Sequence, residues 1–331
     1  MSDQRCRKFG LLQYPGTDNL GDEMQSLAAR RFVPRVTQYL NREELNAVEA
    51  PGGQVYWTIL NGWYSHLPAT WPPSPAVRPL LVALHITRSR SASGLFPAEI
   101  MLAEPMVRYL RAAGPVGARD FSTLRMLRLA GVESYFSGCL TLTLERPRVA
   151  RDGNLIVLND VPDEVPGFVR AQTSKRIVTT THSAGGELQA QNRFAMAQSL
   201  LALYARASCV VTARLHCAMP CIAIGTPVLF LAAAADKYRF SGLAEMAHSC
   251  SPEEFTSGRF RYDINSPPAN KTLHLPYRAS LKKTAMDFVN QADHGNGRGW
   301  YPLSERERRI PEKMAAAVAG SPCASDPWAQ A

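Results

Sequence analysis

Along the chain, short runs of almost continuous apolar residues alternate with longer stretches in which apolar positions return every three or four residues. The first pattern predicts strands buried on both faces and the second predicts helices. KFGLLQY (8–14) predicts a first strand, PGTDNLGD a loop, and EMQSLAARRF a helix. VYWTILNG (55–62) and LLVALHI (80–86) predict two more strands. AEIMLAEPMVRYLRAAG (98–114) has helical spacing at Ile100, Val107, Leu110 and Ala113, with a kink expected at Pro105. DFSTLRMLRLAG predicts a helix stopped by Gly131, and VESYF closes the series.

A polar, proline-containing segment, ERPRVARDGN (145–154), separates this series from a second one. LIVLND (155–160) and KRIVTTTH (175–182) predict strands, and LQAQNRFAMAQSLLALYARA (188–207) a long amphipathic helix. SCVVTA, the RLHCAMPCIAIG helix, TPVLFLA and DKYRFSGLAEMA follow. RASLKKTAMDFVNQA and SERERRIPEKMAAAVA predict late helices, and the last residues are expected to be disordered. Strands alternating with helices mean parallel sheets in an α/β fold. Two such series predict two Rossmann-like domains facing a cleft, residues 1–148 and 149–300, with 301–331 a C-terminal helix and tail.

Composition narrows the function. With 46% hydrophobic and 20% charged residues, the chain can bury a sizeable core. The net charge of +9 points to an anionic partner. The arginines are dispersed, with no lysine-rich block or aromatic RNA-binding motif, so no nucleic-acid partner is expected. No G-x-G-x-x-G follows the first strand and no G-x-x-x-x-G-K-[ST] occurs, which argues against dinucleotide and ATP chemistry. The seven cysteines, at 6, 139, 209, 217, 221, 250 and 323, suggest buried thiols rather than disulfides or a metal site. No apolar run is long enough to span a membrane, and MSDQRCRKFGLLQY has no signal-peptide core. A cytoplasmic location is expected, with peripheral contact at the inner face of an anionic membrane left open by the charge.

Polar residues at strand ends then carry the chemistry. Arg214 and His216, in TARLHCAMPC (212–221), fall where an apolar strand gives way to a helix. Ligands of open α/β sheets bind beyond the carboxyl ends of the strands, and a helix N-terminus there favours anions. Arginine, imidazole and helix start together suit a phosphate or carboxylate. A buried arginine on carbonyls with a core histidine is the plainer alternative. Asp22 and Glu23, where a loop enters a helix, either act on substrate or complement the helix dipole. Arg119, in GARDFSTL (117–124), is a second strand-end arginine.

At these places the sequence resembles the polysaccharide pyruvyl transferase family. The family's N-x-G-D-x-x-Q segment is here NLGDEMQ (19–25), and the segment with its mid-chain arginine is here RDFS. Its G-C-x-T-L turn is GCLTL (138–142), and its S/A-R-L-H segment with a following G-x-P is ARLH (213–216) with GTP (225–227). All stand in the family's order, over roughly residues 8–245. The Gly-rich turn many members carry after LLVALHI reads TRSRSASG here, where Arg88 either adds an anion contact or sits in a solvated loop.

The resemblance implies a two-domain fold like that of GT-B glycosyltransferases, with the acceptor on the N-terminal and the donor on the C-terminal domain. It implies phosphoenolpyruvate as donor and a sugar diol of a polysaccharide or lipid-linked precursor as acceptor. A pyruvate ketal and phosphate would be the products. Arg119 and the Arg214-Leu215-His216 segment would hold the donor, with His216 as acid/base. Asp18 and Asn19 would sit in the substrate loop, and Asp18, Asp22 or Glu23 could deprotonate the acceptor. No metal and no cofactor beyond the donor are expected. A nucleotide-sugar glycosyltransferase of GT-B type and a non-catalytic polysaccharide- or anion-binding protein are the alternatives.

Overall fold

The computed structural model describes residues 8–64, 70–90, 96–185, 189–233, 237–292 and 302–309. The first series of elements is β1 (Lys8–Gln13), α1 (Gly21–Arg30), β2 (Gln38–Asn41), β3 (Tyr56–Trp63), β4 (Val77–His85), α2 (Pro97–Met101), α3 (Glu104–Ala113), β5 (Val116–Ala118), α4 (Phe121–Leu129) and β6 (Ser134–Phe136). The second is β7 (Leu155–Asn159), α5 (Glu164–Arg170), β8 (Arg176–Thr180), α6 (Ala190–Arg206), β9 (Cys209–Thr212), α7 (Leu215–Ile224), β10 (Val228–Leu231), α8 (Lys237–Phe240), β11 (His248–Cys250), α9 (Pro252–Thr256), α10 (Leu275–Ala292) and α11 (Glu305–Arg308).

The strands form two sheets, ordered β2-β1-β3-β4-β5-β6 and β11-β10-β9-β7-β8, and every strand pair is parallel. The α/β expectation therefore holds. In each sheet the second strand in sequence lies on one side of the first and the third on the other. That reversal is the topological switch point of a doubly wound sheet, and it falls between β1 and β3 and between β7 and β9.

Contacts divide the chain into two compact units. One comprises residues up to Tyr14, Ala29–Ser137 and the chain from Lys283; the other comprises Pro15–Ala28 and Gly138–Lys282. The expected break is at 148/149, and the observed units differ from it at Gly138, at Pro15–Ala28 and from Lys283 on. Gly138 begins the second unit because Leu140–Thr143 are buried beside α7, and Arg146 donates to the carbonyls of Ala205 and Ile224. Pro15–Ala28, the loop after β1 together with most of α1, groups with the second unit although it follows β1. The described part of the expected C-terminal segment, Pro302–Arg309, groups with the first.

Each unit has its own core. Leu81, Leu84, Met106, Leu110 and Leu127 centre the first, and Ile156, Leu158, Val211, Leu229 and Phe255 the second. Pro105 does not kink one long helix. It sits in the first turn of α3, after a break behind α2, where its missing amide leaves no hydrogen bond unmade. Five cysteines, 139, 209, 217, 221 and 250, are buried thiols outside any disulfide. Burial pushes the Cys209 and Cys250 thiols up to about 12. Residues from 310 on, which hold most of the expected last helix, lie outside the described residues, as does residue 188.

Candidate anion site at the second switch point

The second switch point assembles polar side chains from sequence-distant strand ends. Asn159 and Thr212 are register partners on β7 and β9, and the Thr212 hydroxyl donates to Asn159 Oδ1 at 3.1 Å. The next residue after β7 is Asp160, at φ 46, a left-handed conformation uncommon outside glycine and tolerated best by Asn and Asp. One Asp160 oxygen accepts the Thr181 hydroxyl at 2.5 Å. The other accepts both the His182 amide and Arg214 Nε at 2.9 Å. Burial works against ionisation, yet these bonds and the Arg214 charge hold the Asp160 carboxyl below its ordinary range.

Arg214 is the N-cap residue of α7. Its side chain is 49% exposed, and no side chain caps the start of the helix. Its carbonyl accepts the amides of Cys217 and Ala218. His216 is buried in the first turn, 8% exposed, and Leu215 is buried beside it. Pro220 lies inside the helix and has no amide to give the His216 carbonyl. Gly225, at φ 71, closes the helix in the left-handed conformation, with the Thr226 amide returning to Cys221. All of α7 except Ala223 is buried, so its first turn is held by packing along its whole length.

The loop before α1 is pinned to the same place. The Leu20 amide donates to the His182 carbonyl at 2.7 Å, and Ala184 donates to the Asp18 carbonyl at 2.8 Å. The Asp18 carboxylate accepts the Ser183 hydroxyl and the Gly185 amide. Asn19 Oδ1 accepts the Gly21 amide at 3.0 Å. Asp22 is buried and accepts from Thr17 and Gln25. Both oxygens of Glu23 are taken by Arg193 of α6, at 2.7 and 3.1 Å, and the two side chains are each 1% exposed. This buried fork makes Glu23 a tie between α1 and α6, while burial lifts its carboxyl above the ordinary range against the pull of Arg193. A methyl group at Gly21 would lie 3.0 Å from Asn19 Oδ1, His182 Nδ1 and His216 Cβ alike. The loop thus reaches both histidines, and a side chain there would require these neighbours to give way. His182 is 1% exposed, and Nε2 meets the Tyr204 hydroxyl at 2.9 Å. Among the described residues its Nδ1 has no hydrogen-bond partner. Burial pushes its pKa down to about 4, so the ring is neutral at pH 7.

The first unit carries its own strand-end cluster. Arg119 directly follows β5, is 1% exposed, and has Nε 3.7 Å from Asp120 Oδ2. Asp120 caps α4 by accepting the Thr123 amide at 2.8 Å, and its other oxygen meets His85 Nδ1 at 2.6 Å. Burial opposes ionisation, but His85, Arg119 and Thr123 together hold the Asp120 carboxyl below its ordinary range. His85 ends β4 just after Ala83, which stands at φ 53 where the pairing with β3 shifts register. That irregularity re-aims the strand end. Arg88 is half-buried three residues beyond His85, and residues 91–95 of its loop lie outside the described residues.

The structure therefore brings Asp18, Asn19, Asp22, Glu23, Arg214, Leu215 and His216 together in one unit, and places Arg119 and Arg88 in the other. Sequence reasoning missed Asp160, His182, Arg193, His85 and Asp120. Arg193 had a signal, as the one charged residue between Glu187 and Arg206. Asp160 and His182 had another, since each is a polar residue closing a predicted apolar strand. Among the described residues, no group of three or more His, Cys, Asp or Glu is placed to hold a metal ion. No described helix is long and apolar enough to cross a membrane.

Comparison with curated proteins finds no match. Among solved structures, an uncharacterized protein from Klebsiella pneumoniae is 14% identical with a TM-score of 0.43, covering 74% of this chain and 92% of that one. The wall teichoic acid polymerase TagF is 9% identical with a TM-score of 0.36, covering 94% of this chain and 88% of that one. Residues 101–233, which include Arg119, Asp160, Arg214 and His216, match the family model of the polysaccharide pyruvyl transferases.

Proposed function

We propose that the protein transfers pyruvate from phosphoenolpyruvate to a sugar diol of a polysaccharide or its precursor, forming a pyruvate ketal and releasing phosphate. The observation that carries this reading is the start of α7. Half-exposed Arg214, an uncapped helix N-terminus and His216 stand together at a switch point, inside the stretch that matches the family. Phosphoenolpyruvate is a small anion with a carboxylate and a phosphate. An arginine fork binds either group through charge-assisted hydrogen bonds of roughly 1.5–3 kcal/mol each, and the positive end of a helix adds to this.

The reaction is redox-neutral. A proton is delivered to the methylene carbon of the donor, a task that suits an imidazole such as His216. One acceptor hydroxyl forms a bond to the central carbon and gives up its proton. The carbon–oxygen bond to phosphate breaks, and the second hydroxyl closes the ketal, its proton leaving with the phosphate. Asp22 and Glu23 are buried and engaged, so Asp18, exposed in the same loop, is the better candidate of the three to meet an acceptor. His85, paired with Asp120, offers a second imidazole held by a carboxylate. No step calls for a metal, and the protein is expected to act in the cytoplasm.

The test is incubation with phosphoenolpyruvate and a mixture of sugar and lipid-linked acceptors, followed by phosphate assay and mass spectrometry. Acceptors that gain a pyruvate ketal as phosphate appears support the reading. Nucleotide release from a sugar nucleotide would point to glycosyl transfer instead. Binding without any product would leave an anion- or polysaccharide-binding protein.

A further inference from the structure

Arg214 is half-exposed, yet it is held from one side. Its Nε donates to Asp160 at 2.9 Å, and among the described residues its two terminal nitrogens take no hydrogen bond. Asp160 is itself fixed by the Thr181 hydroxyl and the His182 amide, so it does not follow the arginine. It stands at φ 46 at the end of β7, a conformation that persists in a folded chain only where its surroundings impose it.

We propose that Asp160 is a positioning residue for the donor: it grips Arg214 at Nε and presents the terminal guanidinium edge, ready-forked, to the phosphate or carboxylate of phosphoenolpyruvate. The inference rests on the pyruvyl-transfer reading. Its physical basis is pre-organisation. A free arginine side chain loses much rotamer freedom when it binds an anion, whereas one already held at Nε loses less and keeps both terminal nitrogens for the ligand. The competing possibility is a latch, in which Asp160 competes with the anion for Arg214. The two predict opposite changes in affinity.

The experiment compares the full chain with Asp160→Asn, Arg214→Lys and the double variant, measuring binding of phosphoenolpyruvate and of inorganic phosphate by calorimetry. Asn tolerates the left-handed backbone, and its oxygen can still accept the His182 amide and meet Nε, but without the carboxylate charge that makes the grip strong. Asp160→Asn is expected to weaken phosphoenolpyruvate binding about tenfold, with turnover at saturating donor changing less than threefold. In the Arg214→Lys background, where no Nε remains, the same substitution should change affinity less than twofold, a non-additivity a merely structural role would not produce. Melting curves without ligand control for folding. Equal or tighter binding by Asp160→Asn, or effects that simply add, overturns the proposal. If the unaltered protein binds phosphate through Arg214 but neither binds nor turns over phosphoenolpyruvate, the donor reading fails and Asp160 is judged on phosphate alone. If it binds neither anion, both fall.

Discussion

His182 shows how much a single buried ring can set. Burial holds its pKa at about 4, against an unfolded value near 6.5, because the charged ring would have to exist away from water. Between those two values the unfolded chain takes up a proton that the folded chain refuses. Lowering the pH through that window therefore favours unfolding, by on the order of 3 kcal/mol once pH 4 is reached. Denaturant melts at pH 7, 5.5 and 4.5 should show the loss, and His182→Gln should flatten it; an equal slope in both proteins would remove His182 as the cause. His216 and Arg214 separate by a different measurement. His216→Gln removes the proposed proton donor and should lower turnover roughly 10²–10⁴-fold, while donor affinity changes much less. Arg214→Lys keeps the charge but loses the fork, so donor affinity should weaken about tenfold or more with a smaller effect on turnover. Near-normal turnover in a folded His216→Gln protein would shift the acid role to another group.

Elements rather than residues decide how the loop before α1 reaches α7. Glu23 and Arg193 tie α1 to α6 through a buried two-pronged ion pair. Removing one partner leaves the other charge buried and alone, so Glu23→Gln or Arg193→Met should cost about 3–5 kcal/mol in a chemical melt. A loss below 1 kcal/mol would mean that water already reaches the pair. Gly21→Ala tests the loop's approach to the histidines, since the added methyl meets three neighbours at 3.0 Å. Overpacking of this kind typically costs about 1–3 kcal/mol, and turnover should fall as His216 shifts. Gly16→Ala, with nothing within 4 Å, is the matched control and should be neutral. The elements also show what the sequence can and cannot display. β1, β3, β4, β7 and β9 are flanked by neighbours on both sides and buried, so each reads as an apolar run. β2 and β11 are edge strands, pairing on one side only, and QYLN and HSC carry no such run. α5 hides for another reason, since Pro166 and Gly167 sit within it. The strand-end motifs were legible because each lies within a few residues of the element it closes. The pairs that give them their setting were not. Asp160 and Arg214 are 54 positions apart, and His85 and Asp120 are 35 apart, and only the sheet order brings them together.

At the scale of the whole molecule, a ligand that binds only the folded chain must raise its stability, by about 2.7 kcal/mol at a hundredfold excess over its dissociation constant. Two sheets of the same winding give two switch points, and among the described residues only the second has a half-exposed arginine at a strand end beside an uncapped helix of ten residues. Small dianions and trianions should therefore stabilise the protein. NAD and ATP should not, because neither a dinucleotide fingerprint nor a phosphate-binding P-loop occurs in the sequence. Phosphoenolpyruvate at millimolar concentration should raise the melting temperature by several degrees. Inorganic phosphate should raise it less, since it lacks the carboxylate. The gain should shrink in high salt, which screens exposed charges such as Arg214 more than buried ones. It should persist in a chelator, because the charge facing the anion comes from guanidinium and helix dipole. Loss of the gain in EDTA, restored by a divalent cation, would replace this account with one in which a metal carries the donor. An unchanged melting curve in phosphoenolpyruvate, with and without acceptor, would remove the donor itself.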